Sequence, residues 1–374
     1  MPAMAHGRAK SAKSFGATRL DVARLAGVSL ATASLALNNH GRVARSTRRR
    51  VAEAAESLGY VPNHAATRLI RTRFTKRDAS FDQIGFIYID RSVGALDPSC
   101  LAMMRGAEQE LFGLGAALIF VRLGEPAHWR KVERLVRAGG VDGWLLAGHV
   151  DDEAANLLRA WNQPFVILGD HRCKQPVHHV DVDEPAVARL AVQHLAALGH
   201  RRIGFICGSM TYVYQTAMLD GFRRAVRELG LDADESLIQP TCKSSEATID
   251  AVLRPLLSQE TPPTAIFAAE GGWSADVVRT LRALEFQVPS DLSFIGCEID
   301  TLASTTPKVT RIETPISQLG LEGARVLRKI VSHPSLSPIL VKLPPLLVEG
   351  WSCGSPPARE VRNQQQATTG KAMT

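Results

Sequence analysis

The residues best equipped for chemistry gather at one end of this 374-residue chain. Residues 1–77 hold 15 Lys and Arg against three acids, Asp21, Glu53 and Glu56, a balance of +12, so the other 297 residues carry −5 of the net +7. A one-ended excess of this size suits a polyanion, because each cation placed on a phosphate releases condensed counterions. A second signal lies beneath the charge. Gly27 breaks two short helical patterns, and Ser29 stands where an N-cap is wanted, its oxygen able to meet free amides or a phosphate drawn to the helix N-terminus.

The elements that must position these groups read as three short helices. In the first, Val22, Ala23 and Leu25 face inward; Val28 plugs the turn after Gly27, whose lack of a side chain suits a positive-φ corner. In the second, Ala33 and Leu37 form the buried stripe, leaving Leu30, Ala31, Thr32, Ser34 and Leu35 outward. A third runs from about residue 45 to 58 with Val51, Ala54, Ala55 and Leu58 inside, stopping at Gly59. The pattern predicts a helix-turn-helix, although a plain helical bundle fits the same periodicity.

From residue 83 onward strands alternate with helices. Apolar runs at 84–89, 117–121, 143–147, 165–168, 203–207, 265–268 and 294–295 are separated by helical stretches such as 101–114, 129–138, 186–198, 218–229 and 274–284. That alternation predicts parallel sheets, too many strands for one, with residues 170–182 crossing between two lobes and a ligand cleft at the carboxyl ends of the strands. No apolar run reaches the roughly 18 to 20 residues of a membrane span, and no h-region follows the basic start, so the expected place is the cytoplasm. Six scattered cysteines without a C-x-x-C pair read as reduced thiols. His178-His179 near Cys173 match no common zinc spacing, Gly113-Leu114-Gly115 reads as a helix stop, and G-x-S-x-G, P-loop and H-E-x-x-H signatures are absent, so no catalytic residue, cofactor or metal is expected.

The run DVARLAGVS at 21–29, followed by VARSTRRRVAEAAESLGYVPN at 43–63, resembles the headpiece of the LacI family of bacterial transcription regulators. VDGWLLAG, HLAALGHRRIGFICG, GFRRAVRELGL, PPTAIFAAE and VPSDLSFIGCEID continue the likeness in family order. It implies a small all-α helix-turn-helix headpiece plus an α/β periplasmic-binding-protein-like core of two Rossmann-like lobes. The implied division is a disordered basic tail at 1–17, a headpiece at 18–62, a hinge helix and linker at 63–82, a core at 83–352 and a disordered polar tail at 353–374. Within the core, lobe 1 takes about 83–178 and 307–332, and lobe 2 about 179–306 and 333–352.

The resemblance also implies roles. Leu30, Ala31 and Leu35 would meet base edges, while Thr18, Ser29, Thr32, Ser34, Asn38 and Thr47 would hold phosphates. Asn63 and Ala66 would lie on the hinge helix, with Leu69 wedged into the minor groove between two hinges of a dimer, kinking a deformable central step. The effector positions are Asp170, Met218, Glu270, Trp273 and Glu298.

Several positions depart from the family pattern. The base-reading residues are apolar, which favours thymine methyl contacts over bidentate hydrogen bonds. Ala44 stands in place of a capping serine. Met218 replaces a sugar-gripping arginine, Glu270-Gly271 an Asn-Asp, and Glu298-Ile299 an Asp-Asp, with Trp273 a candidate stacking face for a hydroxyl-rich or amine-bearing ligand. The expected function is a regulator, with repression favoured, that binds a palindromic double-stranded DNA operator as a homodimer or tetramer and senses a sugar-like small molecule. An effector-independent regulator and a solute-binding protein are the alternatives.

Overall fold

The structure is a computed structural model that describes residues 18–37, 43–58, 81–90, 96–124, 128–241, 246–300 and 308–357. The expectations placed on Asn38, Asn63, Ala66 and Leu69 lie outside these residues. The chain forms two units, residues 1–77 and 78–374.

The first unit holds α1 (Arg19–Leu25), α2 (Leu30–Leu37) and α3 (Arg45–Ser57). Thr18 and Asp21 form a reciprocal capping box at the start of α1, each side chain serving the other's backbone amide. Gly27 adopts φ +61°, and α1 and α2 turn through 103° about it. Ser29 Oγ accepts the Thr32 amide at 3.1 Å, capping α2. Ala44 gives α3 no side-chain cap. Val22, Ala23, Ala26, Ala33, Ala36, Val43, Val51, Ala54 and Ala55 make the core, with Val28 and Leu37 packed on it. Leu25 and Leu58, expected inside, are instead 58% and 37% exposed. Ala26 takes the place assigned to Leu25, one turn on from Val22 along the buried face.

The second unit is built on two six-stranded sheets. The first has strand order β11-β5-β4-β3-β1-β2, from β1 (Gln83–Ile89), β2 (Ala117–Leu123), β3 (Gly143–Gly148), β4 (Phe165–Leu168), β5 (His179–Val182) and β11 (Leu340–Leu343). The second runs β12-β10-β9-β8-β6-β7, from β6 (Ile203–Cys207), β7 (Ile238–Pro240), β8 (Ala265–Gly271), β9 (Ser293–Ile299), β10 (Arg311–Thr314) and β12 (Leu346–Val348). Among the described residues only β12 is antiparallel to its neighbour. The other pairs named are parallel, most of them joined through helices.

The helices among the described residues are α4 (Pro98–Leu114), α5 (Trp129–Arg137), α6 (Asp152–Ala160), α7 (Glu184–Ala197), α8 (Val213–Glu228), α9 (Glu246–Leu257), α10 (Ser274–Ala283) and α11 (Ile316–Ser332). α4 packs on α11, and α7 on α8.

The chain changes sheet at points other than those expected. Strand 179–182 stays in the first sheet, so the crossing falls at Asp183, where that residue caps α7. Strand 311–314 belongs to the second sheet, not the first; strand 340–343 returns to the first, and Pro344-Pro345 leads into β12 of the second. Three crossings therefore link the lobes. The strands responsible are three or four residues long, too short for a periodic signal to assign them a sheet.

Candidate functional site

On the first unit, α2 presents Leu30 (49% exposed), Ala31 and Leu35 (39%) to solvent. No charged residue lies on this helix. Thr32 and Ser34 are half-buried beside them; Ser34 Oγ accepts from Arg19 Nη1 at 3.2 Å, and the Ser29 and Thr32 hydroxyls lie 2.8 Å apart. Thr18 is exposed at the start of α1, and Thr47 half-buried in the first turn of α3. The arrangement combines an apolar helix face with flanking hydroxyls and arginines. Such a face can slide over thymine methyls while its surroundings grip phosphates.

In the second unit a cavity of about 800 Å³ lies between the sheets at the carboxyl ends of their strands. One wall follows β1, β3, β4 and β5, bringing Tyr88, Asp90, His149, Asp170 and Asp181; the other follows β6, β8 and β9, bringing Ser209, Glu270, Cys297 and Ile299. The segment opening α8 closes one side. There the Tyr212 ring stacks on His149 at 5.4 Å and 19°, and lies 5.4 Å from the Tyr214 ring.

Of the expected effector residues, Asp170, Met218, Glu270 and Trp273 line the cavity. Glu270 accepts the Tyr214 hydroxyl at 3.1 Å and Gln215 Nε2 at 2.6 Å, yet burial pushes its carboxyl up to about 7. Burial also raises the Asp170 carboxyl; one oxygen takes the Val213 amide at 3.1 Å, and the other is buried without a partner among the described residues. Met218 is 3% exposed and packs with Phe222 in the main core.

Trp273 departs from expectation. At 5% exposure its indole is held among Ile206, Val277 and Phe294, which makes it a wall and removes the open stacking face. Glu298 departs too. It takes the Ser274 hydroxyl at 2.5 Å and does not line the cavity, because its strand neighbours Cys297 and Ile299 hold the cavity face and side chains alternate.

Sequence reasoning missed Asp90, Asp97, His149, Asp181, Glu184, Tyr212 and Tyr214, all of which line the cavity. Asp90 and His149 immediately follow strands that were foreseen, so the rule for strand carboxyl ends could have found them. Asp90 is paired with Arg122 at 2.7 Å and Asp181 with Lys342 at 2.6 Å. Glu184, 3.7 Å from Lys342, is pushed up to about 8 by burial and then by the Asp181 charge.

The histidine pair is otherwise engaged: His178 Nδ1 accepts the Ile339 amide at 3.1 Å, and His179 Nε2 lies 2.8 Å from the Gly169 carbonyl. Among the described residues no group of three or more His, Cys, Asp or Glu could hold a metal ion. Cys100, Cys173, Cys207, Cys297 and Cys353 are free thiols.

Residues 18–63 match the profile of bacterial regulatory proteins of the lacI family, and residues 192–353 that of a periplasmic binding protein-like domain. The transcriptional regulator MalR of Streptomyces coelicolor is 30% identical over 354 residues, 91% of this chain and 98% of that protein. The chain belongs to the LacI family.

It is a transcriptional regulator that binds DNA. The LacI-family regulator CelR, solved as a cellobiose complex, aligns with 90% of this chain and 99% of that one at a TM-score of 0.62 and 27% identity. The Lac repressor dimer, solved with operator and an anti-inducer, shares the fold at a TM-score of 0.74 and 22% identity, over 91% of this chain and 100% of that one.

Proposed function

We propose that this LacI-family regulator is a repressor that binds a palindromic operator as a homodimer and releases or tightens it when a small molecule enters the cleft. The observation carrying the proposal is that one chain joins an apolar, serine-capped α2 to an 800 Å³ cavity walled by both lobes. Leu30, Ala31 and Leu35 read base edges; Thr18, Ser29, Thr32, Ser34, Asn38 and Thr47 hold phosphates. Residues 63–70 act as the hinge, with Asn63 and Ala66 against DNA and Leu69 prising a central base step. Such a protein works in the cytoplasm, where its DNA lies; among the described residues no single helix is long and apolar enough to cross a membrane.

A ligand shifts operator affinity only through its differential affinity for two core states. Walls drawn from both lobes supply that difference, since lobe closure changes the ligand's surroundings. The family's solved cellobiose complex supports a sugar-like effector, whereas the methionine at 218 supports the second reading, a regulator that responds to none. Selecting DNA fragments with purified protein tests the first half: a palindrome with a pyrimidine-purine centre is expected, and random recovery overturns it. Titrating that operator against metabolites tests the second half, where a tenfold shift corresponds to about 1.4 kcal/mol of coupling.

A further inference from the structure

The charges around the cavity do not balance. Asp90, Asp97, Asp170, Asp181, Glu184 and Glu270 line it, and among the described residues no Lys or Arg does. Asp90 is answered by Arg122 and Asp181 by Lys342 from behind the wall, with Lys342 also reaching Glu184; Asp97 caps α4 through the Ser99 amide. Asp170 and Glu270 make no ion pair among the described residues, and the Arg172 and His171 charges reach Asp170 only from a distance. The two acids come from opposite lobes, one after β4 and one on β8.

Three further observations point to what enters. One Asp170 oxygen is buried with no hydrogen-bond partner among the described residues. Tyr212, one face of which stacks on His149, and the adjacent Tyr214 place aromatic rings in the cavity wall, and the negative quadrupole of such rings attracts a cation. Met218 supplies no donor to a sugar hydroxyl and offers an apolar side instead. A neutral sugar would bury both carboxyls without adding a cation to the site, whereas an ammonium group sets a positive charge between them.

We propose that the cleft takes a ligand of one or two rings bearing a protonated amine, its nitrogen held between Asp170 and Glu270 and against the faces of Tyr212 and Tyr214. The size follows from the volume, near the upper end of small-molecule sites. The assignment rests on the effector reading above and narrows it from sugar-like to amine-bearing. Because the two carboxylates belong to different lobes, the cation is also what draws the lobes together.

The experiment compares amines with their uncharged counterparts on the full-length protein. Glucosamine, galactosamine, histamine and spermidine are each tested against the N-acetylated compound, with glucose and galactose as plain sugars, by melting temperature and by operator affinity. At least one amine is expected to raise the melting temperature and move operator affinity severalfold, with its acetylated partner inert. Glu270→Gln and Asp170→Asn, checked for unchanged circular dichroism, are expected to weaken that amine tenfold or more.

Calorimetry in buffers of different ionisation enthalpy gives a second readout. The groups facing Glu270 are Tyr214 and Gln215 on α8, Tyr212 just before it, Cys207 on β6, Cys297 on β9 and the Asp97 charge. An arriving ammonium expels the proton that Glu270 shares near neutrality, so proton release accompanies binding, and Glu270→Gln abolishes it. Neutral sugars that bind as well as the amines, or an amine whose affinity ignores both substitutions, overturn the charge assignment while leaving the effector reading intact. Silence from every compound in both arms overturns the two together.

Discussion

Asp170, which follows the last residues of β4 in one lobe, accepts the backbone amide of Val213, the first residue of α8 in the other, at 3.1 Å. It is one of three links that residues 211–213 make across the cleft. Arg172 Nη2 donates to the Thr211 carbonyl, and His149 stacks on Tyr212. The opening of α8 thus rests against two loops of the opposite lobe and ties the two lobes together. Asp170→Ala removes the acceptor while Asp170→Asn keeps one. A hydrogen bond to a charged group contributes about 1.5–3 kcal/mol, so the alanine variant should expose residues 211–214 to amide exchange at least about tenfold faster. Equal exchange in parent and alanine variant would remove that tie.

Glu270 sets a pH dependence whose sign is fixed by its environment. Its carboxyl ordinarily titrates at 4.5 and is pushed up to about 7 by burial, partly offset by the Tyr214 and Gln215 hydrogen bonds. The folded chain therefore holds a proton that the unfolded chain has lost, and stability is fully present below about pH 4.5 and declines as pH rises through about 7. Glu184, pushed up to about 8, acts in the same direction. Glu270→Gln should leave stability near that of the parent at about pH 4.5 and exceed it by on the order of a few kcal/mol at about pH 8. Urea unfolding at both values measures this; a gap that shrinks as pH rises contradicts the sign.

The packing of α4 on α11 depends on missing side chains. A Cβ on Gly106 would lie 1.7 Å from the Ser317 carbonyl oxygen, and one on Gly320 1.8 Å from that of Met103. Backbone meets backbone, with no flexible group able to yield. Gly320→Ala should force the helices apart and destabilise the core by about 3 kcal/mol or more, read from the urea midpoint. A change below about 0.5 kcal/mol would mean that the helices separate freely.

What the sequence made legible was what local chemistry decides. The headpiece could be read because Gly27 and Ser29 act within a few residues of themselves, and seven of the strands because each carries an uninterrupted apolar run. The misreadings share a different cause. Leu25 and Leu58 were assigned by hydrophobicity, whereas the small alanines of α1 and α3 do the packing. Trp273 was read as an open ring because the sequence says nothing of what lies behind it, and the crossings at 183, 315 and 344–345 depend on strand pairing, which for β5 and β11 joins His179 to Leu340. Glu298 was avoidable: strand alternation alone turns it from the cavity once Cys297 faces in.

Ala44 leaves the first turn of α3 without a side-chain acceptor, although its φ of −56° and ψ of 145° suit a capping residue. Arg48 Nε donates to the Val43 carbonyl beside it and serves no free amide. Ala44→Ser should contribute about 1 kcal/mol to the helix. Hydrogen exchange on the full-length chain should then slow roughly fivefold at the first-turn amides of α3 and leave α2 unchanged. Unaltered first-turn exchange would mean that the added hydroxyl does not cap.

The exposed face of α2 carries the last prediction. Leu30, Ala31 and Leu35 have no side-chain donor or acceptor, so whatever bases they meet cannot be recognised through bidentate hydrogen bonds. In the major groove the feature open to an aliphatic side chain is the thymine methyl. Each methyl buried against leucine contributes about 0.8 kcal/mol, so replacing one contacted thymine by uracil should weaken binding roughly fourfold. The salt dependence should not change, because it counts phosphates and those contacts remain. Leu30→Ala should blunt the response at the thymine it covers and leave the others alone. If uracil-substituted operator binds as tightly as the parent at every position, α2 reads no methyl, and specificity must come from DNA shape instead.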